Sequence, residues 1–357
     1  MFPRRQPELQ IHRESSACHI KRAKVVVVGA GPAGTSAAIL CAQAGLDVVI
    51  LEREQFPRDR PGETLHPGIE PLIEKLGAAD EFRSAGFLRH EGNWVEWDLA
   101  RRFEPFGSDE SGPWRGFQAW RADFDAILLA RAVRAGAEVC QPLPVSRPIR
   151  HEGRVAGVLT SQGSIEAPFV IDAAGQQHWL ARQMDLRIQH YSPRLLARYG
   201  YVDGDCPPCD SAPAIVANQT GWTWLARVRR NLYHWTRHSL PNEALPSDRS
   251  PREFNGLKPR GRTLSADVTW RMVSNIAGPG FFLAGDAAAV LDPVSSHGVL
   301  KAIMSGMMIG YLIIRIVKEG NDEETANRAY QQWFRRWFVQ DLAKLRGFYG
   351  SMSLGKS

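Results

Sequence analysis

The chain has 357 residues, 44 basic against 38 acidic, for a formal charge of +6. That length can bury a sizeable core in one large domain or two interlocked ones, and the modest, scattered basic excess, with no basic run interleaved with aromatics, argues against a nucleic-acid ligand. Five cysteines suggest no disulfide framework and suit a reducing, cytoplasmic compartment, with Cys206-Pro207-Pro208-Cys209 read as a polar loop before a zinc or redox site.

Residues 1–22 carry charges throughout and no apolar run, so they read as a flexible tail and not as a signal peptide. Lys24 to Arg53 then reads KVVVVGAGPAGTSAAILCAQAGLDVVILER. Four valines predict a buried strand, the glycine turn leads into an alanine-rich helix, and Asp47 to Leu51 predicts a second strand. In such a β-α-β unit Gly29 allows the turn, Gly31 lets backbone approach a pyrophosphate, and Gly34 lets helix pack on strand. Glu52, 23 residues beyond Gly29, is placed to accept ribose hydroxyls, so the unit reads as dinucleotide-binding.

A charged, turn-rich loop follows from Arg53 to Leu65, and His66-Pro67-Gly68 opens a helix through Leu76. Asn93 to Asp98 predicts a short strand with Val95 and Trp97 on its buried face and Trp94 on the other. Asp123 is expected to cap a helix carrying Phe124, Ile127 and Leu128 that ends at Gly136, with a strand from Ala137 to Cys140 after it. Val145 to Ala167 reads as a small meander, and Phe169 to Asp172 as a buried strand ending in Ala173-Ala174-Gly175. Residues 186–275 change texture to long alternating runs. Ile215 to Arg229 and Leu232 to His238 should pair antiparallel across Arg230-Asn231, Asp267 to Met272 should be a further strand, and 241–261 a surface loop. Phe281 to Ala284 is a short buried strand leading to Gly285-Asp286, beside the crevice where open α/β sheets bind ligands. Gly298 starts a helix whose apolar stretch, Ala302 to Ile314, is too short for a membrane span, and its N-terminus could stabilise negative charge. From Thr325 on, Tyr330, Trp333, Phe334, Trp337, Phe338, Leu342 and Leu345 form one helical stripe suited to core packing.

GAGPAG, the Glu-Arg after the second strand, RPGET, RADFD at Arg121 to Asp125, DAAG at Asp172 to Gly175 and GDAAAVLDPVSSHG at Gly285 to Gly298 together resemble the flavin-dependent hydroxylase and halogenase superfamily, with its para-hydroxybenzoate hydroxylase-like FAD fold. The resemblance implies an α/β protein in which a Rossmann-like FAD-binding domain (23–185 and 276–357, the latter with C-terminal helices) interleaves with a smaller antiparallel-sheet substrate domain (186–275). It implies FAD held by Gly29, Gly31, Ala33, Gly34, Glu52, Arg53, Arg60, Glu63, Thr64, Arg121, Gly285, Asp286, Pro293, Gly298 and Val299. His297 and Ser296 would stand near the flavin ring, and His90 and His66 would be acid or base toward substrate.

The activity implied is transfer of oxygen from a peroxyflavin to an electron-rich aromatic, with electrons from NAD(P)H or a separate flavin reductase. GWTWLA at Gly221 to Ala226 is close to the halogenase Trp-x-Trp-x-Ile-Pro signature but has Ala226 at the isoleucine and no proline after it. In the segment Gly86 to Gly92, His90 stands where phenol-type halogenases carry a reactive lysine. The single-component hydroxylases have Asp-Gly where this chain has Ala174-Gly175. The ADVTWR strand at Ala266 to Arg271, the DPVSSHG loop and the short C-terminus resemble flavoproteins that hydroxylate protein-borne tryptophan during tryptophylquinone maturation. The expected partners are thus an aromatic small molecule or a protein-borne tryptophan, and a reductase, with no nucleic acid. A halogenase, a geranylgeranyl reductase-type enzyme and a non-catalytic FAD-fold binding protein are the alternatives.

Overall fold

The computed structural model describes residues 20–97, 100–218, 220–239 and 249–353. Residues 1–19 of the expected tail, Asp98, and 241–248 of the expected loop lie outside them.

Two sheets organise the molecule. The first has six strands in the order Glu138–Cys140, Val48–Leu51, Val25–Val28, Phe169–Asp172, Phe281–Leu283 and Ala277–Gly278. All neighbours are parallel except the last pair. The central runs VVVV, VVIL and FVID are buried at every position, as a parallel sheet covered on both faces requires. Register places Val28 against Leu51 and Asp172, and Asp172 against Leu283. The loops beginning at Gly29, Glu52, Ala173 and Ala284 therefore leave the sheet along one edge, its carboxyl end, where ligands of such sheets bind. A three-stranded meander, Val145–His151, Arg154–Thr160 and Gly163–Glu166, sits between the strands as expected.

The helix Pro32–Gln43 packs on the long helix Gly298–Glu319. Contact is close because Gly306 has no side chain: a Cβ there would lie 2.0 Å from the Ala33 carbonyl oxygen. The Gly298–Glu319 helix is long and apolar enough to cross a membrane by length and composition, yet Ile303, Met307, Ile309, Leu312 and Ile313 are buried in the core. The C-terminal helix Glu323–Ser353 buries Tyr330, Phe334, Phe338, Leu342 and Leu345, so the aromatic stripe is core packing.

The second sheet has seven strands in the order Lys258–Asp267, Leu196–Asp203, Leu232–Ser239, Gly221–Arg229, Ala214–Asn218, Gly92–Trp97 and Ala100–Pro105. Its last two strands come from far upstream, through parallel pairing of Gly92–Trp97 with Ala214–Asn218. Trp94 consequently packs against the core of Val202, Leu225 and Trp235, so this strand is covered on the face expected to be outer. The run expected as one strand from Ile215 to Arg229 is two, because the Asn218 carboxamide accepts from the Thr220 and Gly221 N–H groups and turns the chain. Asn231, at φ +58°, makes the expected hairpin turn. The strand expected over Asp267 to Met272 is likewise broken, since the Asp267 carboxylate caps the Thr269 N–H, and pairing begins instead at Lys258 inside the expected loop. Asp123 does not cap its helix: Trp120 holds the N-cap position, and Asp123 pairs with Arg229. Cys41, Cys206 and Cys209 are buried free thiols.

Candidate active site

The glycine turn fulfils the steric roles read from its spacing. Gly29 has φ +103°, and a Cβ there would strike the Ala173 carbonyl oxygen at 2.5 Å. At Gly34 it would lie 2.0 Å from the Gly29 carbonyl oxygen and 2.9 Å from Val27, so only hydrogen lets the helix sit on the first strand. Gly31 differs: a Cβ would meet nothing closer than the Arg58 guanidinium at 3.6 Å. Its bare backbone faces space, and it caps the Pro32–Gln43 helix without any side-chain bond to the first N–H groups. These groups and the helix dipole are free for an anion. Glu52 is buried, with one carboxylate oxygen accepting from the Ala30 N–H at 2.8 Å and the other from the Glu54 N–H at 3.0 Å.

Arg58, not singled out by the sequence reading, lies against this turn. Its Nη1 donates to Asp125 Oδ2 at 3.0 Å, while its buried Nε has no hydrogen-bond partner among the described residues. Asp125 also accepts from Arg121 Nε at 3.0 Å and Nη2 at 3.1 Å, and Arg121 Nη1 donates to the Pro61 carbonyl at 2.9 Å. One buried carboxylate thus holds two guanidiniums in fixed orientation at the mouth of the cradle, and Glu52 Oε2 lies 3.9 Å from Arg58 Nε as a second counter-charge. The signal was present, since Asp125 is four residues beyond Arg121 on one helix face; nothing local tied Arg58 to either.

Asp286 stands opposite. Its side chain is exposed toward the cleft, and the charges of Arg121 and Arg271 favour its ionised form. Gly285, at φ +56°, lets this loop lie against the first helix, where a Cβ would come 3.2 Å from Ala33 Cβ. Arg271 braces the neighbouring loop: its Nε donates to His178 Nε2 at 2.9 Å and its Nη2 to the Gln176 carbonyl at 3.1 Å. His178 Nδ1 donates in turn to the Ala287 carbonyl at 2.9 Å.

The remaining expected residues divide. Arg53 and Arg60 both pair with Glu54 toward the outside. Glu63 is buried and accepts from the Gly62 N–H and the Tyr201 hydroxyl, with His234 within 3.7 Å. Thr64 Oγ1 donates to Gln118 and accepts from Trp224 Nε1 at 3.2 Å. Both residues therefore fasten the loop to the second sheet. His297, at the start of the long helix, meets the His66 ring edge-on at 5.0 Å, and Phe106 separates His66 from His90. Burial, with Lys301 and His66 adding to it, pushes the His297 pKa down to about 4. His90 is fully engaged: Nδ1 donates to the Gly92 carbonyl at 3.0 Å and Nε2 accepts from Gln118 Nε2 at 3.2 Å. Burial lowers its pKa too, so its ring is a neutral structural hydrogen-bonder.

Ser296 has the left-handed backbone (φ +50°) that ends the Pro293–Ser295 turn, Val299 packs half-buried against the core, and a Cβ on Gly298 would meet nothing within 4 Å. Asp292 caps that turn through the Val294 N–H at 3.0 Å, and its other oxygen accepts from Trp270 Nε1 at 3.3 Å and the Tyr349 hydroxyl at 2.6 Å. Tyr349 also accepts from Trp222 Nε1 at 2.9 Å. The end of the C-terminal helix thereby joins the second sheet to the Pro293–Gly298 loop.

The family described as FAD binding domain matches residues 22–332. A 1H-pyrrole-2-carbonyl-[peptidyl-carrier protein] brominase of Pseudoalteromonas luteoviolacea (strain 2ta16) is 30% identical over 87% of this chain and 81% of its own length. A tryptophan 2-halogenase of Chondromyces crocatus is 28% identical over 91% of this chain and 67% of its own. The structure of the myxobacterial chondrochloren halogenase, a FAD-dependent halogenase, superposes with a TM-score of 0.85 at 25% identity, covering 92% of this chain and 83% of that one.

Proposed function

Because this chain belongs to the FAD binding domain family of flavin-dependent monooxygenases and halogenases, we propose that it is a monooxygenase that inserts oxygen into an electron-rich aromatic ring, free or carried as tryptophan on a protein. FAD is its cofactor, and the residues fit it. The AMP half would lie on Gly29, Gly31, Ala33, Gly34 and Glu52, and the pyrophosphate between the helix N-terminus, Arg58, Arg121 and the Asp286 loop. The ring would stand beside Pro293, Ser296, His297, Gly298 and Val299. The Arg58 Nε, which has no hydrogen-bond partner among the described residues and only the 3.9 Å pairing with Glu52, and the open space at Gly31 and Gly298 support this placement. Bound FAD, once reduced, supplies the electrons that activate dioxygen, which no side chain here could do.

The chain's own residues supply position and environment. The Gly298 end of the long helix offers its dipole to negative charge on the ring. Burial lowers the pKa of both His297 and His66, so near neutral pH the two rings are neutral hydrogen-bonding groups that orient substrate rather than hold a proton for it. Trp222, Trp224 and Tyr349 close the second sheet over the loop and exclude water. Ala174-Gly175 in place of Asp-Gly favours a separate reductase as electron source, so NADH or NADPH alone should bleach the flavin slowly, and addition of a flavin reductase should make bleaching fast.

The observation that carries the choice is His90. It occupies the place of the halogenases' lysine with both nitrogens bonded and no amine to carry an activated halogen. Halogenation is the second reading, favoured by the brominase and the tryptophan 2-halogenase among the relatives. Reduced holoprotein should be mixed with oxygen and indole, phenol or tryptophan-bearing peptides, with and without bromide. A product gaining one oxygen atom regardless of bromide supports the proposal; a brominated product replaces it with the second reading; unaltered substrate in every arm removes both.

A further inference from the structure

On the inner face of the second sheet, register sets Trp222 beside His238, Trp224 beside Thr236 and Ala226 beside His234. The neighbours on this face have partners: Trp222 bonds Tyr349, Trp224 bonds Thr64, Tyr201 bonds Glu63, and His234 lies within 3.7 Å of Glu63. His238 does not. It is 1% exposed, and among the described residues neither of its ring nitrogens has a hydrogen-bond partner. A neutral imidazole carries one donor and one acceptor, and a buried group left unpaired costs about 1–3 kcal/mol. Packing alone does not call for a histidine. The ring is stacked on Trp222 with centroids 5.5 Å apart and planes 13° from parallel, and edge-on to Tyr349 at 6.0 Å, contacts that a phenyl ring would make as well. An apolar ring would be the stable choice, so the unpaired nitrogens point to a group the protein itself does not provide. The surroundings say which group. The cluster of Ile215, Ala217 and Trp222 packs with Val294 of the Pro293–Ser295 turn, so the imidazole lies behind Trp222 and Tyr349 on the side of the sheet that faces the loop proposed to meet the flavin ring, where an aromatic ring displacing either of them would meet its nitrogens.

We propose that His238 is the polar handle of the substrate site, hydrogen-bonding the ring N–H or O–H of an indole-, pyrrole- or phenol-type aromatic. This rests on the reading of the cleft as an aromatic substrate site and sharpens it to substrates with such a group on the ring.

Binding is read without turnover, from the perturbation of the absorbance of oxidised, FAD-reconstituted protein titrated with indole, 1-methylindole, phenol and anisole. Indole and phenol should bind about 10-fold or more tighter than their methylated counterparts, the preference expected when a buried polar group would otherwise be left unpaired. His238→Phe keeps the stacked ring and should bring that ratio to about one with FAD content unchanged and melting temperature raised, whereas His238→Gln, which keeps a donor and an acceptor, should retain part of it. A wild type that binds methylated and unmethylated probes equally overturns the proposal with no variant needed. So does a wild type perturbed by none of the four, or a phenylalanine variant that keeps the preference. A His238-dependent preference in a protein that forms no oxygenated product would sink the monooxygenase reading and leave this binding site standing.

Discussion

At the carboxyl edge of the parallel sheet the cradle is made of what is missing, with Gly29, Gly31 and Gly34 within six residues, and of one carboxylate, Asp125, that fixes two arginines. Across from it the antiparallel sheet works with large side chains: Trp222 reaches Tyr349, 127 residues away, and Trp224 reaches Thr64, 160 residues away. The first region is rigid because backbone sterics leave it no alternative. The second is held by single hydrogen bonds between distant segments, each modest in net energy. A cofactor that stays bound needs the first kind of construction; a cavity that must admit a substrate can use the second.

If this contrast holds, substitutions should divide by region. The largest effect is expected at Asp125→Ala, which removes the carboxylate hydrogen-bonded to both Arg58 and Arg121 and leaves Arg58 only the longer pairing with Glu52; a loss of about 3–5 kcal/mol in urea unfolding, with loss of FAD on purification, is the expected outcome. Retention of full flavin would mean the arginines are not part of the cradle. Next is acid sensitivity. Burial, with Arg271 and Arg182 adding to it, holds the His178 pKa at about 4 against 6.5 for an ordinary histidine. Between these values the unfolded chain binds more protons, so stability is present above pH 6.5 and falls as pH drops toward 4, by on the order of 2–3 kcal/mol. His178→Gln should flatten a plot of unfolding midpoint against pH over that window.

Gly306→Ala should cost about 1–3 kcal/mol by overpacking the two helices, with a fall in melting temperature as the readout. Tyr349→Phe tests the other half. It removes the hydroxyl between Trp222 and Asp292 and should cost only about 1 kcal/mol, sparing FAD content while speeding proteolysis at the end of the C-terminal helix. Equal loss of flavin from the tyrosine variant would break the distinction between the regions.

The β-α-β unit and its glycine roles were legible because every constraint acts within about thirty residues of chain. The buried strands at Phe169 and Phe281 and the aromatic helix were legible for the same reason, since their patterns are local. Arg58 was hidden because a charged loop reads as solvated until Asp125 is known to face it. The side-chain partners of Glu63 and Thr64, Tyr201 and Trp224, were likewise hidden, because how the second sheet docks decides them. The bonds that hold both His90 nitrogens, to Gly92 and Gln118, were hidden for the same reason.

The sequence by itself determined the dinucleotide-binding unit, the alternation of buried parallel strands with helices, and the family, because φ > 0 glycines, β-branched runs and helical stripes are written in neighbouring residues. Only the tertiary structure decided that Gly92–Trp97 and Ala100–Pro105 complete the second sheet, that Tyr349 links that sheet to the loop at Asp292, and that His238 has no hydrogen-bond partner among the described residues. Strand pairing and hydrogen bonding between segments more than a hundred residues apart depend on which surfaces are buried together, and no local pattern encodes that.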